Sequence, residues 1–252
     1  MANITLSQLF TNICNSIRAK TGSADKIKHI NIPSEIARIV SINDFLSKSV
    51  TEIETTVATV ADYAFYKQSS LISVKMPNVK SIGAYAFNYC SQLKKVELPS
   101  TCKYIGASAF MECYYLENIN IPDGIREIPS GCFRGDYSLK SPKIPGSVTN
   151  IGSMAFQGAT FDTIDLPQVA QLGQLVFAKS SYDGTGLKTL IIRNASGVCS
   201  LSSSNSFGNT PIGKGEEGAV IYVPDSLVGN YKQSTNWSVF ANIIKPLSEL
   251  GV

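Results

Sequence analysis

A single pattern recurs through the middle of the chain at intervals of 21 to 23 residues. One landmark is a phenylalanine, usually preceded by alanine, found at Phe65, Phe87, Phe110, Phe133, Phe156 and Phe177. A second landmark is a proline, found at Pro77, Pro99, Pro122, Pro145 and Pro167. Because two independent landmarks share one period, the chain contains a tandem repeat, and a repeat restricts the folds open to it more than any other feature.

The clearest unit, residues 105–125, contains a short strand. Leu116 precedes Ile119 and Ile121, and the last two alternate with polar residues, which is the periodicity of a β-strand. A unit of this length cannot bury its own apolar face, so the units must stack, and equivalent residues should touch. We use the word rung for one such unit. With strands about 4.8 Å apart, six rungs form a block roughly 30 Å long.

The consensus I-G-x-x-A-F-x-x-C-x-x-L-x-x-I-x-I-P resembles the BspA-like leucine-rich repeat family over about residues 60–193. The resemblance implies an α+β solenoid, curved and right-handed, with a parallel β-sheet on one face and loops or short helical turns on the other. Members of that family are mainly bacterial surface, protist or phage proteins, usually inferred to act in adhesion, and enzyme activity is not part of the pattern. One departure is Pro142, which lies in the fourth strand and should distort that rung.

Residues 1–45 differ from the repeats and favour a helical module. Apolar residues recur there at helical spacing, and a second short helix is predicted to begin at Pro33. Residues 16–22, followed by Ile27, Ile32-Pro33, Glu35-Ile36 and Ile39, are similar over about 35 residues to an N-terminal module of phage and prophage structural proteins of Gram-positive hosts, which implies an attachment segment. A cap over the open end of the solenoid is an equal alternative, and both can hold. The candidate particle-attachment residues are Leu6, Leu9, Phe10, Ile13 and Ile17.

Residues 194–252 form a third segment, after a solenoid assigned to residues 46–193. Residues 200–218 are rich in Ser, Asn and Gly and are predicted to form a long loop. Residues 219–224 predict a final strand, Asp225 begins a short helix, and Trp237 and Phe240 lie on one face of another. The segment resembles the C-terminal unit of phage-encoded repeat proteins, a strand–helix cap that would cover the last sheet edge.

Composition excludes several classes of function. His29 is the sole histidine and no C-x-x-C pair exists, so we expect no catalytic site, metal or cofactor. A net charge of +3 is too weak to indicate nucleic-acid binding. Residues 208–214 match the start of a phosphate-binding loop, but Gly215 stands where Ser or Thr should follow, and a strand is predicted where a helix should begin.

Cysteines and the ends of the chain bear on compartment. Cys90 and Cys113 both lie three residues after a landmark phenylalanine, and buried packing is favoured over a crosslink between them. The first residues lack the features of a secretory signal, and the sequence has no apolar run long enough to cross a bilayer. We therefore expect synthesis in a bacterial cytoplasm and no membrane insertion.

Two sets of residues are candidates for partner binding. The first comprises outward strand positions that form a polar, mixed-charge face: Lys75, Lys95, Glu97, Asn118, Asn120, Lys143, Thr163 and Asp165. The second comprises tyrosines suited to sugar or protein contact: Tyr66, Tyr89, Tyr114 and Tyr115. Tyr63 and Tyr85 occupy equivalent positions and should stack. Simple solvation of the face and half-buried packing of the tyrosines are the alternatives.

The leading hypothesis is a non-enzymatic phage or prophage protein located in the virion, in the capsid, tail or fibre. Its N-terminal helices would contact other virion proteins, and its solenoid would bind a host surface protein or glycan. A BspA-like bacterial adhesin is the alternative, and a hydrolase acting on wall polymers is the third possibility. Assembly as a homo-oligomer is left open.

Overall fold

The computed structural model describes residues 4–5, 52–54 and 57–251, and there the chain winds through successive short strands and turns. Its strands, in chain order, are β1 (Ile4–Thr5), β2 (Glu52–Glu54), β3 (Thr59–Val60), β4 (Ser73–Lys75), β5 (Ser81–Ile82), β6 (Lys95–Glu97), β7 (Tyr104–Ile105), β8 (Asn118–Asn120), β9 (Glu127–Ile128), β10 (Asn150–Ile151), β11 (Thr163–Leu166), β12 (Gln171–Leu172), β13 (Thr189–Ile192), β14 (Ser200–Leu201), β15 (Val220–Val223) and β16 (Ile244–Pro246).

The longer strands form what we call the long face, in two parallel sheets of order β1-β2-β4-β6-β8 and β11-β13-β15-β16. Equivalent residues pair in register, as Val74 does with Val96 and Val96 with Ile119. In β6, Lys95 and Glu97 are exposed while Val96 is buried, and β8 repeats this alternation. The parallel solenoid and its outward polar positions are confirmed.

The two-residue strands form a second ladder, the short face, that the sequence analysis did not anticipate. Its sheets have the order β3-β5-β7 and β9-β10-β12-β14, and all pairs are parallel. Each strand buries one isoleucine, valine or leucine, such as Ile82 or Ile105. Gly106 follows β7 at a point where the backbones of neighbouring rungs approach closely. A Cβ on Gly106 would collide with the backbone nitrogen of Ala84, so glycine is required there.

A third row of hydrogen bonds joins the turns around the phenylalanines, and we call it the turn strip. The Phe87 N–H donates to the Ala109 carbonyl at 2.7 Å, and the Phe110 N–H to the Cys132 carbonyl at 3.0 Å, so each rung donates to the next. Positive φ occurs two residues before and two residues after the phenylalanine in the turns of Phe65 to Phe156, only before it in the Phe177 turn and only after it in the Phe207 turn. The residues concerned are Tyr63, Tyr85, Ser108, Gly131, Met154 and Leu175, then Lys67, Tyr89, Glu112, Gly135, Gly158 and Asn209.

The core of the solenoid is a column of stacked phenylalanine rings. Successive centroids lie 5.0 Å apart for Phe65 and Phe87, 5.3 Å for Phe87 and Phe110, and 5.7 Å for Phe110 and Phe133. Interplanar angles in these three pairs do not exceed 13°. The predicted contact between equivalent residues is therefore confirmed, and the column continues past Phe177 to Phe207.

Pro142 interrupts the long face, as the sequence predicted. It is buried at the inward position that Val96, Ile119 and Ile164 occupy in other rungs, but residues 139–144 form no strand. A proline nitrogen has no hydrogen to donate to a ladder, so the sheet ends at β8 and resumes at β11.

The cysteines of the described residues are free and buried, which corrects the alternative of a crosslink between Cys90 and Cys113. The Cys90 thiol donates to the Phe65 carbonyl at 3.1 Å, and the Cys113 thiol to the Phe87 carbonyl at 3.2 Å. Burial raises the pKa of both thiols, which keeps them protonated. These cysteines therefore act as packing residues.

Asp136 occupies the same position in the next rung and is fully buried. Its Oδ1 accepts from the Cys113 N–H at 2.8 Å, whereas its Oδ2 has no hydrogen-bond partner among the described residues. Burial raises the pKa of this carboxyl well above its usual value, because the apolar core disfavours the charged form.

The end segments differ from the sequence expectations in part. The predicted N-terminal helices, with Leu6, Leu9, Phe10, Ile13 and Ile17, lie outside the described residues, although β1 pairs in parallel with β2. The predicted loop at residues 200–218 is wrong: it contains β14, a 3-10 turn at Ser204–Phe207 and helix α1 (Pro211–Lys214). Serine, asparagine and glycine there build the turn of another rung.

The C-terminal segment covers the last short strand with side chains. The predicted strand at residues 219–224 and helix after Asp225 are present as β15, a 3-10 turn at Asp225–Leu227 and α2 (Val228–Gln233). However, β15 is followed by β16, which extends the sheet. The Cys199 N–H donates to the Tyr231 hydroxyl at 2.8 Å, and the Trp237 Nε1–H donates to the Cys199 carbonyl at 2.6 Å.

Replacing Pro142 with isoleucine should restore the missing strand. Isoleucine supplies an N–H and matches Ile119 and Ile164, so we expect the amides of residues 141 and 143 to gain about tenfold protection in hydrogen exchange, or about 1.4 kcal/mol. The control is Pro145→Ile, which alters the landmark proline outside the strand. Unchanged protection in Pro142→Ile would contradict the role given to proline.

Replacing Asp136 with cysteine should stabilise the protein at neutral pH. Its folded-state pKa is raised, so its stabilising contribution is complete below about pH 3.8 and is lost as pH rises toward the folded-state pKa. A thiol can donate to a carbonyl as Cys113 does, and we expect a gain on the order of 1–3 kcal/mol at pH 7 in urea denaturation. Stability should also decrease less as the pH rises above 4. The exposed control Asp123→Asn should change neither the stability at pH 7 nor its dependence on pH. An Asp136→Cys protein with the wild-type pH dependence would refute this account.

Candidate functional site

A groove crosses the long face over its first rungs. It has a volume of about 690 Å³, and its apolar floor includes Pro77 and Pro99, whereas Val96, Leu98 and Ile119 are buried beneath it. Six of the eight outward strand residues singled out in the sequence line it: Lys75, Lys95, Glu97, Asn118, Asn120 and Lys143. The structure therefore brings these six together, while Thr163 and Asp165 lie beyond the Pro142 rung in β11.

Charges alternate along one column of this face. The register pairs Glu54 with Lys75, Lys75 with Glu97, and Glu97 with Asn120. Within β6, the Lys95 ammonium forms an ion pair with Glu97. The hydrogen bond and charge of Lys95, together with the charge of Lys75, lower the pKa of Glu97. Opposite charges on adjacent strands attract, so this column stabilises the face while keeping it polar.

Several of the candidate side chains are engaged within the protein. The Asn120 amide donates to the Leu98 carbonyl at 2.7 Å and accepts from the Leu98 N–H at 2.9 Å, so it links two rungs. The Arg193 guanidinium forms an ion pair with the Asp165 carboxylate, and its Nε and Nη2 atoms lie 2.8 to 2.9 Å from the carboxylate oxygens. These two residues are therefore structural in this state.

Other side chains on the groove keep their polar groups available. Among the described residues, Lys75, Asn118 and Lys143 make no side-chain hydrogen bond and no ion pair within 4 Å. Two ammonium groups and one carboxamide are thus presented to solvent over an apolar floor. This arrangement suits a polar or acidic partner.

The candidate tyrosines lie on the turns, apart from the groove lining. Tyr63 and Tyr85 stack with centroids 4.9 Å apart, which confirms the predicted contact. Tyr66 meets Tyr89 edge to face at 6.3 Å, and the Lys67 ammonium lies 5.1 Å from the Tyr66 ring. These rings therefore pack laterally on one another along the turn strip.

The later tyrosines form a second aromatic group. Tyr114 stacks on Tyr137 with centroids 5.7 Å apart, and a hydrogen bond to Glu112 raises the pKa of Tyr114 to about 12. Tyr115 is half exposed. These tyrosines therefore combine packing between rungs with partial exposure to solvent.

Sequence reasoning missed a cleft on the short face. It has a volume of about 770 Å³ and is lined by Lys103, Tyr104, Ile105, Ala107, Gly124, Arg126, Glu127, Pro129 and Ser130. The available signal was Pro129, which stands where the consensus I-G places glycine.

The described residues show no group of three or more His, Cys, Asp or Glu side chains arranged to hold a metal ion. In the same residues, no helix has the length and apolar character required to span a bilayer. The phosphate-loop match at residues 208–214 falls on α1, a four-residue helix capped by the Thr210 hydroxyl. A phosphate site needs the N-terminus of a longer helix, and this segment does not supply one.

Solved structures of three bacterial proteins are similar to this chain. The pneumococcal vaccine antigen PcpA aligns with a TM-score of 0.54 at 20% identity, over 79% of this chain and 49% of that one. A leucine-rich repeat protein of T. pallidum aligns with a TM-score of 0.49 at 32% identity, over 51% and 64% of the two chains. A leucine-rich cell surface protein of Faecalibacterium prausnitzii aligns with a TM-score of 0.47 at 23% identity, over 73% and 58%.

The chain thus spans less than two thirds of the length of each of these structures. No curated protein matches it. Six copies of the BspA-type leucine-rich repeat region match residues 58–183, which is half of the chain. Neither this family match nor the solved structures support the narrower assignment to phage proteins. The chain belongs to the BspA-type leucine-rich repeat family.

Proposed function

We propose that this protein is a non-enzymatic binding module that holds an extended segment of a partner protein along the long-face groove. The observation that carries this proposal is the groove itself, in which polar side chains from successive strands surround an apolar floor. Repeat proteins of this kind generally bind other molecules, and they present extended surfaces for that purpose. Adhesion is the biological role that this geometry supports best.

The charges favour an extended polar partner. A segment that crosses the strands meets the alternating series Glu54, Lys75 and Glu97, and then the unengaged groups of Asn118 and Lys143. Side chains of opposite charge along the partner would fix its register. Apolar residues of the partner would contact the floor.

The same residues do not suit catalysis. Glu97 is exposed, and Lys95 lowers its pKa, so it remains ionised near neutral pH and is not poised to donate a proton. Asp136 has a raised pKa, but it is enclosed by the core and cannot reach a substrate. An acid and a base in one accessible site are needed for hydrolysis, and the described residues provide no such pair.

Two placements of the module are proposed. Attachment to a bacterial surface agrees with the family and requires export. Attachment to a virion rests on the similarity of the pattern between residues 16 and 39 to phage structural proteins, with other virion proteins as partners of the N-terminal residues. Both placements leave the solenoid free to contact a host surface.

The double variant Lys75→Gln with Lys143→Gln should lose partner binding. Both ammonium groups line the groove, so their loss should weaken sedimentation with intact bacterial or epithelial cells by about tenfold, in line with two lost charged contacts. Protease treatment of the cells should abolish binding by the unaltered protein. The matched control is Lys188→Gln with Lys232→Gln, at exposed lysines outside the groove. Wild-type binding by the groove variant, or turnover of peptidoglycan by the pure protein, would refute the proposal.

Deleting residues 1–45 should separate the two placements. If these residues attach the protein to a particle, the truncated chain should stay soluble but be absent from particles purified from a host that produces both the truncated and the full-length chain. The full-length chain in the same preparation is the control. Equal incorporation of both chains, or absence of both from the particles, would refute virion attachment.

A further inference from the structure

The short face is broken at Pro129, and the break opens the second cleft. The Gly106 N–H donates to the Ile82 carbonyl at 2.8 Å, and the Gly152 N–H donates to the Ile128 carbonyl at the same distance. Pro129 occupies the equivalent position between them and has no N–H, so β7 and β9 do not pair. The cleft of about 770 Å³ lies at this point, lined by residues of both rungs.

Three cations occupy one column beside this cleft. Lys80, Lys103 and Arg126 stand at equivalent positions of successive rungs, and the Lys103 N–H donates to the Lys80 carbonyl at 2.8 Å. All three side chains are exposed. With strands about 4.8 Å apart, the column spans roughly 10 Å. Each of the three residues lies directly before a short strand, and like charges in neighbouring rungs repel one another, so this column does not stabilise the fold.

These cations are not neutralised by the described residues. Neither the two lysines nor Arg126 makes an ion pair within 4 Å there. The Lys103 ammonium donates to a neutral group, the Asp123 carbonyl, at 3.1 Å. By contrast, the long face alternates its charges. The short face therefore presents three cations beside a single lining carboxylate, Glu127, with which none of them pairs within 4 Å, so an anionic ligand would find an excess of positive charge here.

An exposed aromatic ring completes the site. Tyr104 is 59% exposed, the largest exposure among the described tyrosines, and it lines the cleft with Lys103 and Arg126. A tyrosine ring offers an apolar face and a polar tip, which suits the C–H face and hydroxyls of a sugar. A guanidinium binds sulfate, phosphate or carboxylate groups through two parallel hydrogen bonds.

We propose that this cleft binds a strand of acidic polysaccharide, with Lys80, Lys103 and Arg126 contacting its anionic groups and Tyr104 stacking on a sugar ring. The site lies on the short face and is independent of the long-face groove. A row of three cations with one ring fits a single narrow strand.

The experiment measures binding of dextran sulfate and of uncharged dextran to the full chain, at several salt concentrations around 0.15 M. We expect binding of dextran sulfate only. The triple variant Lys80→Gln, Lys103→Gln, Arg126→Gln should bind at least tenfold more weakly and show a shallower salt dependence. The matched control, Lys188→Gln with Lys232→Gln, and the groove variant, Lys75→Gln with Lys143→Gln, should both bind normally. Retained binding by the triple variant would overturn the proposal.

A second variant distinguishes sugar from charge alone. Tyr104→Ala should weaken binding of dextran sulfate severalfold but leave binding of inorganic polyphosphate, which has no sugar ring, unchanged. Equal effects on both polymers, or on neither, would overturn the role of the ring, as would tighter binding of a single-stranded DNA oligomer than of dextran sulfate. Thermal unfolding controls for stability, and the single variant Arg126→Gln replaces the triple variant if that protein does not fold.

Discussion

Stacking of phenylalanine rings holds the rungs together where the hydrogen-bonded ladders of the two faces are interrupted. The two sheets of the long face are separated at the rung of Phe133, and the short face is broken where the same rung begins. The column continues unbroken there, with centroids 5.7 Å apart for Phe110 and Phe133 and 5.4 Å for Phe133 and Phe156. The turn strip also continues, because the Phe133 N–H donates to the Ala155 carbonyl at 2.8 Å. Register is therefore kept by the core and the turns.

This division of roles leaves the two faces open to variation. Pro129 and Pro142 belong to one rung and interrupt opposite ladders. Pro142 is nevertheless buried, as the apolar residues at its position in other rungs are, and Pro129 is half-buried. The long face compensates its charges from strand to strand, whereas the short face gathers an excess of positive charge beside its break. Because the phenylalanine core and the turns align the rungs, the two faces can differ in their chemistry.

The sequence predicted those features that repeat with the period of the chain. The phenylalanine column, the Tyr63–Tyr85 stack, the outward polar positions and the effect of Pro142 all follow from equivalent positions. The short face was missed because two-residue strands are too short to show alternation. The hydrogen bonds between Asn120 and Leu98 and between Asp165 and Arg193 depend on side-chain conformations that the spacing of residues does not determine. Asp165 and Arg193 are also 28 residues apart, which is longer than one period of the repeat.

The one-way donation along the turn strip, from each rung to the next, makes the two ends of the solenoid chemically different. At the C-terminal end, Tyr231 and Trp237 satisfy the Cys199 backbone with side chains and so stop further strand pairing on the short face. Along the turn strip, however, every internal rung accepts from the rung before it and donates to the rung after it in the same pattern. Gene duplication of a whole period could therefore lengthen this protein from within, without redesign of either terminus, and alter the reach of its surfaces during evolution.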